Sequence, residues 1–454
     1  MNFLIKKFPL MILISSLLLL IYTFYKSEIF WDGNKIDYYK TYYLISSILI
    51  FFSIIAIFLN EKIKQYLIIS GVSLIMSLYL FEGYLILNSG IKLPKKQILK
   101  EQIYEKETGK KWDKRSKIEI YEDLKKINDQ IVMMVNPHEF LKKDYNIFPL
   151  SGISNSKTIM CNENGYYATY HSDRYGFNNP DNEWDKKEIE YLLIGDSFTQ
   201  GFCVNKPNDI GSVLRDLSNK SILNLGMGGS GPLIEHAILR EYINTNIKKV
   251  LWIYYEGNDL RDLKNEKINK NLVRYLEDEN AKQNTILKQN QINNLLIEFI
   301  NDELKIYKDL IKKKLVIEKA KTIVLFLKLN QTRILLNTYL PKDQQPNFVR
   351  EKSIKDDFIK ILKMTKNLTM KNNSKLYFVY LPEFQRYKVK YDNEDYNFVK
   401  DIVTQLKIPF IDIHKEVFEK DQNPHQFIPF EDHGHYNVEG YRKVAETIYK
   451  FTKN

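Results

Sequence analysis

Three stretches of the chain, residues 8–25, 42–59 and 66–88, are almost continuously apolar, and each is long enough to cross a bilayer as a helix. Lipid offers no partner to backbone N–H and C=O groups, so a spanning stretch must satisfy them internally and is helical. Lys6 and Lys7 precede the first stretch, as they would in a secretory leader. No small-residue cleavage site follows, only Tyr22-Thr23-Phe24-Tyr25, and two further stretches come soon after. The reading is an uncleaved transmembrane region over residues 1–90, with the lipid bilayer as its partner.

The formal charge of +11 raises the question of a nucleic-acid partner. Lys, Asn and Ile are abundant throughout, and no basic block interleaved with aromatics stands in the remaining chain, so none is expected. Two signals on orientation conflict. Lys92, Lys95, Lys96 and Lys100 after the third stretch favour a cytoplasmic main domain by the positive-inside rule. The only two cysteines, Cys161 and Cys203, suit an extracytoplasmic disulfide, with two unpaired core thiols as the alternative. The extracytoplasmic (periplasmic or extracellular) placement is preferred, in a multi-pass protein with three spans.

Residues 91–190 read as a charged helical stalk, begun by Pro94, and an Asn-, Gly- and Pro-rich irregular lead-in. From 191 to 454, short apolar runs alternate with helical patterns. Strands are expected at 191–194, 221–225, 250–255, 375–381 and 409–413, with helices at 208–218, 232–245, 353–370, 396–406 and 438–451. That alternation implies βαβ units and a parallel sheet flanked by helices on both faces. Between Gly257 and Pro341 there is neither Gly nor Pro, and Ile292, Leu296, Phe299, Leu304, Tyr307 and Ile311 follow helical spacing. A helical insertion over about 264–345 is expected, capping the site or resting its basic amphipathic face on a membrane or partner.

The first strand ends in Gly195-Asp196-Ser197-Phe198, where a Ser in a tight turn at a carboxyl strand end can attack a ligand in the crevice there. Gly-Asp-Ser is equally an ordinary turn. After the second strand comes Asn224-Leu225-Gly226-Met227-Gly228-Gly229-Ser230-Gly231, a loop whose backbone can approach a ligand closely or simply turn flexibly. After the third comes Glu256-Gly257-Asn258-Asp259, where the Asn amide would donate to an anion or cap a helix. A Ser nucleophile needs a base, and the base an orienter. Asp432-His433-Gly434-His435 offers both before the last helix. His433, His435 and Asp432 would also make metal ligands, but no second cluster supports them, and neither metal nor cofactor is expected.

Four blocks in this order, each at a strand end, resemble the SGNH (GDSL-like) hydrolases over residues 190–263 and 372–454. The resemblance implies a flavodoxin-like three-layer α/β fold, with Ser197 as nucleophile, His435 as general base and Asp432 as its orienter. It further implies an oxyanion hole from the N–H groups of Ser197 and Gly229 and the side chain of Asn258. Where the family's third block usually opens with Gly, Glu256 stands here, which bears on the charge of the pocket.

The resemblance implies a membrane-anchored serine esterase or O-acyltransferase working through an acyl-serine, on O-acyl (acetyl) groups of cell-surface polysaccharide. As a transferase it would need a membrane acyl-donor protein as partner. Rival readings are a lipid esterase at the membrane surface and a non-catalytic glycan-binding or assembly protein on the same scaffold.

Overall fold

A computed structural model describes residues 2–31, 33, 36–89, 95–244, 246–339, 351–388 and 391–453. Pro94 and residue 345, the expected start of the stalk and end of the insertion, lie outside them. The chain divides into two units, one of residues Met1–Lys92 and Lys314–Lys342, the other of Leu93–Lys313 and Asp343–Asn454.

The first unit holds α1 (Asn2–Phe24), α2 (Ile36–Phe58) and α3 (Glu61–Ser89), three helices long and apolar enough to cross a membrane. Their outward faces carry Leu, Ile and Phe side chains, as a lipid-facing surface requires.

In the second unit, residues 95–190 do not stand apart as a stalk. Helices α4 (Lys95–Thr108) and α5 (Lys117–Lys125) lead to a small sheet of β1 (Ile131–Met133), β2 (Lys157–Ile159) and β3 (Thr169–His171). A Ser116/Glu119 capping box starts α5. Ile120, Phe140, Phe148 and Phe177 join the same apolar core as the α/β strands.

The α/β layer comprises β4 (Ile189–Gly195), α6 (Ser197–Gln200), α7 (Ile210–Ser218), β5 (Ile222–Asn224), α8 (Pro232–Tyr242) and β6 (Ile247–Tyr255). Helices α9 (Asp259–Glu266), α10 (Lys270–Glu277), α11 (Gln289–Leu327) and α12 (Asn330–Tyr339) follow β6, and this helical stretch is divided between the two units. Then follow α13 (Lys352–Lys371), β7 (Lys375–Leu381), α14 (Glu394–Gln405), β8 (Phe410–Asp412) and α15 (Val438–Thr452).

All pairings in the five-stranded sheet are parallel, in the order β5-β4-β6-β7-β8. Strand residues alternate between two cores. Leu192, Ile194, Val250, Trp252 and Phe378 pack with α8, α13 and α14, while Tyr191, Leu193, Leu251, Ile253 and Val379 pack with α7 and α15. Both faces are buried, which is why the strands read as continuous apolar runs. The chain starts its sheet at β4, turns outward to β5, then reverses to β6. That reversal opens a crevice at the carboxyl ends of β4 and β6, where doubly wound folds bind ligands.

Candidate active site

At the end of β4, Gly195 has φ +153°, and a Cβ there would lie 2.1 Å from Thr199 Oγ1. The sharp turn this allows puts Ser197 at the start of α6, capped by Asp196, whose carboxylate accepts from Phe198 N at 2.9 Å. Ser197 Oγ lies 2.9 Å from His435 Nε2. The imidazole packs on the rings of Phe198 and Phe202, each 4.7 Å away between centroids.

The carboxylate on the far side of the ring is not the expected one. Glu163 Oε1 lies 3.0 Å from His435 Nδ1, and Glu163 Oε2 accepts from the backbone N–H of His435 at 2.7 Å. Asp432 instead pairs with Lys100 Nζ at 3.1 Å. The local reason is Gly434: a Cβ there would lie 2.9 Å from Glu163 Oε2, so its absence makes room for the glutamate. Burial pushes the Glu163 carboxyl up, but hydrogen bonds and charge attraction from His435 outweigh it and hold it below the usual carboxylate range.

Glu163 sits in the loop joining β2 to β3, and the Cys161–Cys203 disulfide fastens that loop to the turn after α6. Asn164 Nδ2 donates to Cys203 O at 2.8 Å, and Cys203 N donates to Met160 Sδ at 3.2 Å. Because Cys203 is bonded to Cys161, it is not available as a metal ligand beside Glu163 and His435. A sequence signal for Glu163 existed: pairing Cys161 with Cys203 brings residue 163 to the nucleophile's neighbourhood.

The glycine loop after β5 folds over α6. Asn224 Nδ2 donates to Thr199 O at 2.6 Å, and Gly228 N donates to Gln200 Oε1 at 2.7 Å. Gly229 has φ +72°, with His138 Nδ1 only 2.0 Å from where its Cβ would stand, so both conformation and space demand glycine. Asn258 follows β6, and one of its amide hydrogens is given to Asp262 Oδ2 at 2.5 Å. That bond orients the amide and leaves its second N–H free to donate. Gly229 and Asp262 line one cleft of about 410 Å³ together with His138, Leu141, Lys142 and Ile268. The three candidate oxyanion donors thus stand on neighbouring strand ends in the sheet order β5-β4-β6.

Glu256 does not charge this cleft. It pairs with the buried guanidinium of Arg386 and accepts from Tyr380 Oη at 2.6 Å and Glu383 N at 3.1 Å, tying the end of β6 to the segment after β7. Burial, partly opposed by the Phe198 N–H and the charge of His435, pushes the Asp196 carboxyl up to about 6. Of the other histidines, His236 is buried in the core on Thr365 and Arg240, and His433 is exposed.

No curated protein matches the chain. A solved structure of a protein from Desulfitobacterium hafniense DCB-2, described as lipolytic and of the G-D-S-L family, is similar at 13% identity. The match covers 58% of this chain and 99% of that one with a TM-score of 0.29. The family model for GDSL-like lipase/acylhydrolase matches residues 191–448, which include Ser197, Gly229, Asn258 and His435 but not Glu163. With more than half its length so matched and a parallel sheet that delivers the family's blocks to one edge, the chain belongs to the GDSL-like lipase/acylhydrolase family.

Proposed function

We propose that the protein is a membrane-tethered serine esterase or O-acyltransferase in which Ser197, His435 and Glu163 act as one relay. The observation that carries this is the 2.9 Å approach of His435 Nε2 to Ser197 Oγ with a carboxylate on the opposite ring nitrogen. With Nδ1–H donating to Glu163, Nε2 is left to accept the Ser proton as Oγ attacks the acyl carbonyl. The carbonyl oxygen becomes an oxyanion, received by the N–H groups of Ser197, Gly229 and Asn258. His435 then gives its proton to the departing alcohol oxygen, leaving acyl-Ser197. Water or a sugar hydroxyl attacks that ester, loses its proton to Nε2, and regenerates the serine.

The acyl group in this reading is acetyl, carried on cell-surface polysaccharide. Asp262, His138 and Lys142 in the neighbouring cleft supply hydrogen-bonding groups that a hydroxyl-rich substrate would use. The disulfide favours an extracytoplasmic hydrolase unit. A transferase would draw its acyl group from a separate membrane protein.

The test is fluorophosphonate labelling of the full chain, then acetate release from O-acetylated polysaccharide set against hydrolysis of long-chain esters. Labelling of the wild type but not Ser197→Ala, with acetate release, is the expected result. Preference for long chains would move the reading to a lipid esterase. An unlabelled Ser197 would leave a binding protein.

A further inference from the structure

Glu82 is fully buried although it lies in α3, the third of the apolar helices. A carboxylate in such a helix is costly unless it is paired. Its partners come from far along the chain. Oε1 accepts from Gln331 N at 2.8 Å, and Oε2 accepts from Thr332 N and Thr332 Oγ1, both at 2.8 Å. These are the otherwise unpaired N–H groups of the first turn of α12. One helical turn before Glu82, Tyr79 Oη donates to Leu327 O at 3.0 Å, and its ring lies 5.3 Å from that of Phe326. The end of α11, the turn at Leu329 (φ +51°) and the start of α12 therefore form a hairpin seated on α3.

The height of this seat follows from the helices themselves. Counted from the turn that joins α2 to α3, Tyr38 and Glu82 stand level, and Tyr38 lies beside Arg333 and Lys328. Tyr38 is near the first residue of α2 and Glu82 is in the last two turns of α3, so the hairpin sits at one end of the three helices. Residues 314–342 are joined at both ends to the hydrolase unit, as the end of α3 is at one. Its outward side chains are apolar at Ile323, Leu325, Ile334 and Leu336, all exposed. Apolar side chains at a span end, flanked by Lys328 and Arg333, match the boundary between acyl chains and headgroups, where basic side chains reach out to the polar layer.

We propose that residues 323–336 form an interfacial hairpin that rests in the lipid boundary and is latched to the third span by Glu82. This rests on the reading of α1–α3 as membrane spans. It makes the helical insertion a second tether: the chain passes between the membrane unit and the hydrolase unit three times rather than once. An enzyme held so meets O-acylated polysaccharide where that polymer lies close to the membrane surface.

Because the native cysteines are bonded to each other, single cysteines can be introduced into the full chain and labelled with an environment-sensitive fluorophore. The labelled protein is reconstituted in vesicles of acyl-chain-brominated phosphatidylcholine. Labels at Leu325→Cys and Ile334→Cys should lose intensity as a label at Phe52→Cys in α2 does, whereas a label at Lys126→Cys should not. Labels at 325 and 334 that behave like the one at 126, beside a quenched 52, overturn the hairpin and leave the spans standing. An unquenched label at 52 removes the span reading and the hairpin with it. Added to Ile334→Cys, Glu82→Ala should release the quenching and Glu82→Gln, which keeps one acceptor, should retain part of it. Unchanged quenching in Glu82→Ala overturns the latch.

Discussion

Replacing Glu163 by Gln puts the relay to its hardest test, because the carboxylate serves two donors at once: His435 Nδ1 at 3.0 Å and the His435 backbone N–H at 2.7 Å. Gln is nearly the same size but offers one acceptor and one donor. If its oxygen keeps the backbone N–H, its NH2 faces Nδ1 and favours the ring tautomer with hydrogen on Nε2, which cannot take the Ser197 proton. If its oxygen keeps Nδ1–H, two N–H groups collide and the loop must shift. The charge is lost either way. At 3.0 Å the attraction of a carboxylate for an imidazolium is about 5 kcal/mol at an effective dielectric of 20. Glu163 is 31% and His435 19% exposed, so solvent screening leaves roughly 3–4 kcal/mol, or two to three decades of rate. With the tautomer error added, kcat/KM on a soluble p-nitrophenyl ester should fall about 10²- to 10⁴-fold in the full chain. Asp432→Asn should stay within about threefold of wild type, because its side chain meets Lys100 and not the ring. The opposite pattern, with Asp432→Asn crippled and Glu163→Gln active, would falsify the assignment of the orienter.

Asn258→Ala should lower kcat by about 100- to 1000-fold with little change in KM, since the amide is asked to act only on the developing oxyanion. Reduction of the disulfide, or Cys203→Ser, should lower both activity and stability, because the bond fastens the Glu163 loop. For a sequence separation of 42, constraint of the unfolded chain alone is worth about 4 kcal/mol, readable as a fall in Tm. Asp196 supplies a pH test of stability. Its folded value of about 6 stands above its unfolded one, so its contribution is complete below about pH 4 and is lost as pH rises through about 6. Asp196→Asn should flatten that part of the Tm–pH curve; a parallel curve would show that another buried carboxyl governs the window.

The three long apolar helices, the order of strands and helices, and the pair Ser197 and His435 were legible because each rests on a local pattern. Apolar length marks a span, buried β-branched and aromatic runs mark a two-sided strand, and Gly-Asp-Ser sits at a strand end by chain order alone. Glu163 was not legible in the same way. Asp432, three residues from His435, is the nearer carboxylate in sequence, and only the folded loop shows that Gly434 admits Glu163 to the ring while Asp432 turns to Lys100. By sequence Glu256 bears on the charge of the pocket, and its neutralisation by Arg386 depends on a residue 130 positions away.

The amino-acid sequence alone determined that this chain has a lipid-compatible N-terminal region and a doubly wound α/β unit carrying a serine and a histidine at one sheet edge. Hydrophobic periodicity and strand-end residues act over a few positions, so they survive without knowledge of the fold. Which carboxylate meets His435, and which unit residues 314–342 join, were decided by the tertiary structure. A charged side chain must find its partner across tens or hundreds of residues, as Glu163 does with His435 and Glu82 with Thr332. An amphipathic helical pattern is the same whether its apolar face meets a protein or a membrane, and only packing chooses between them.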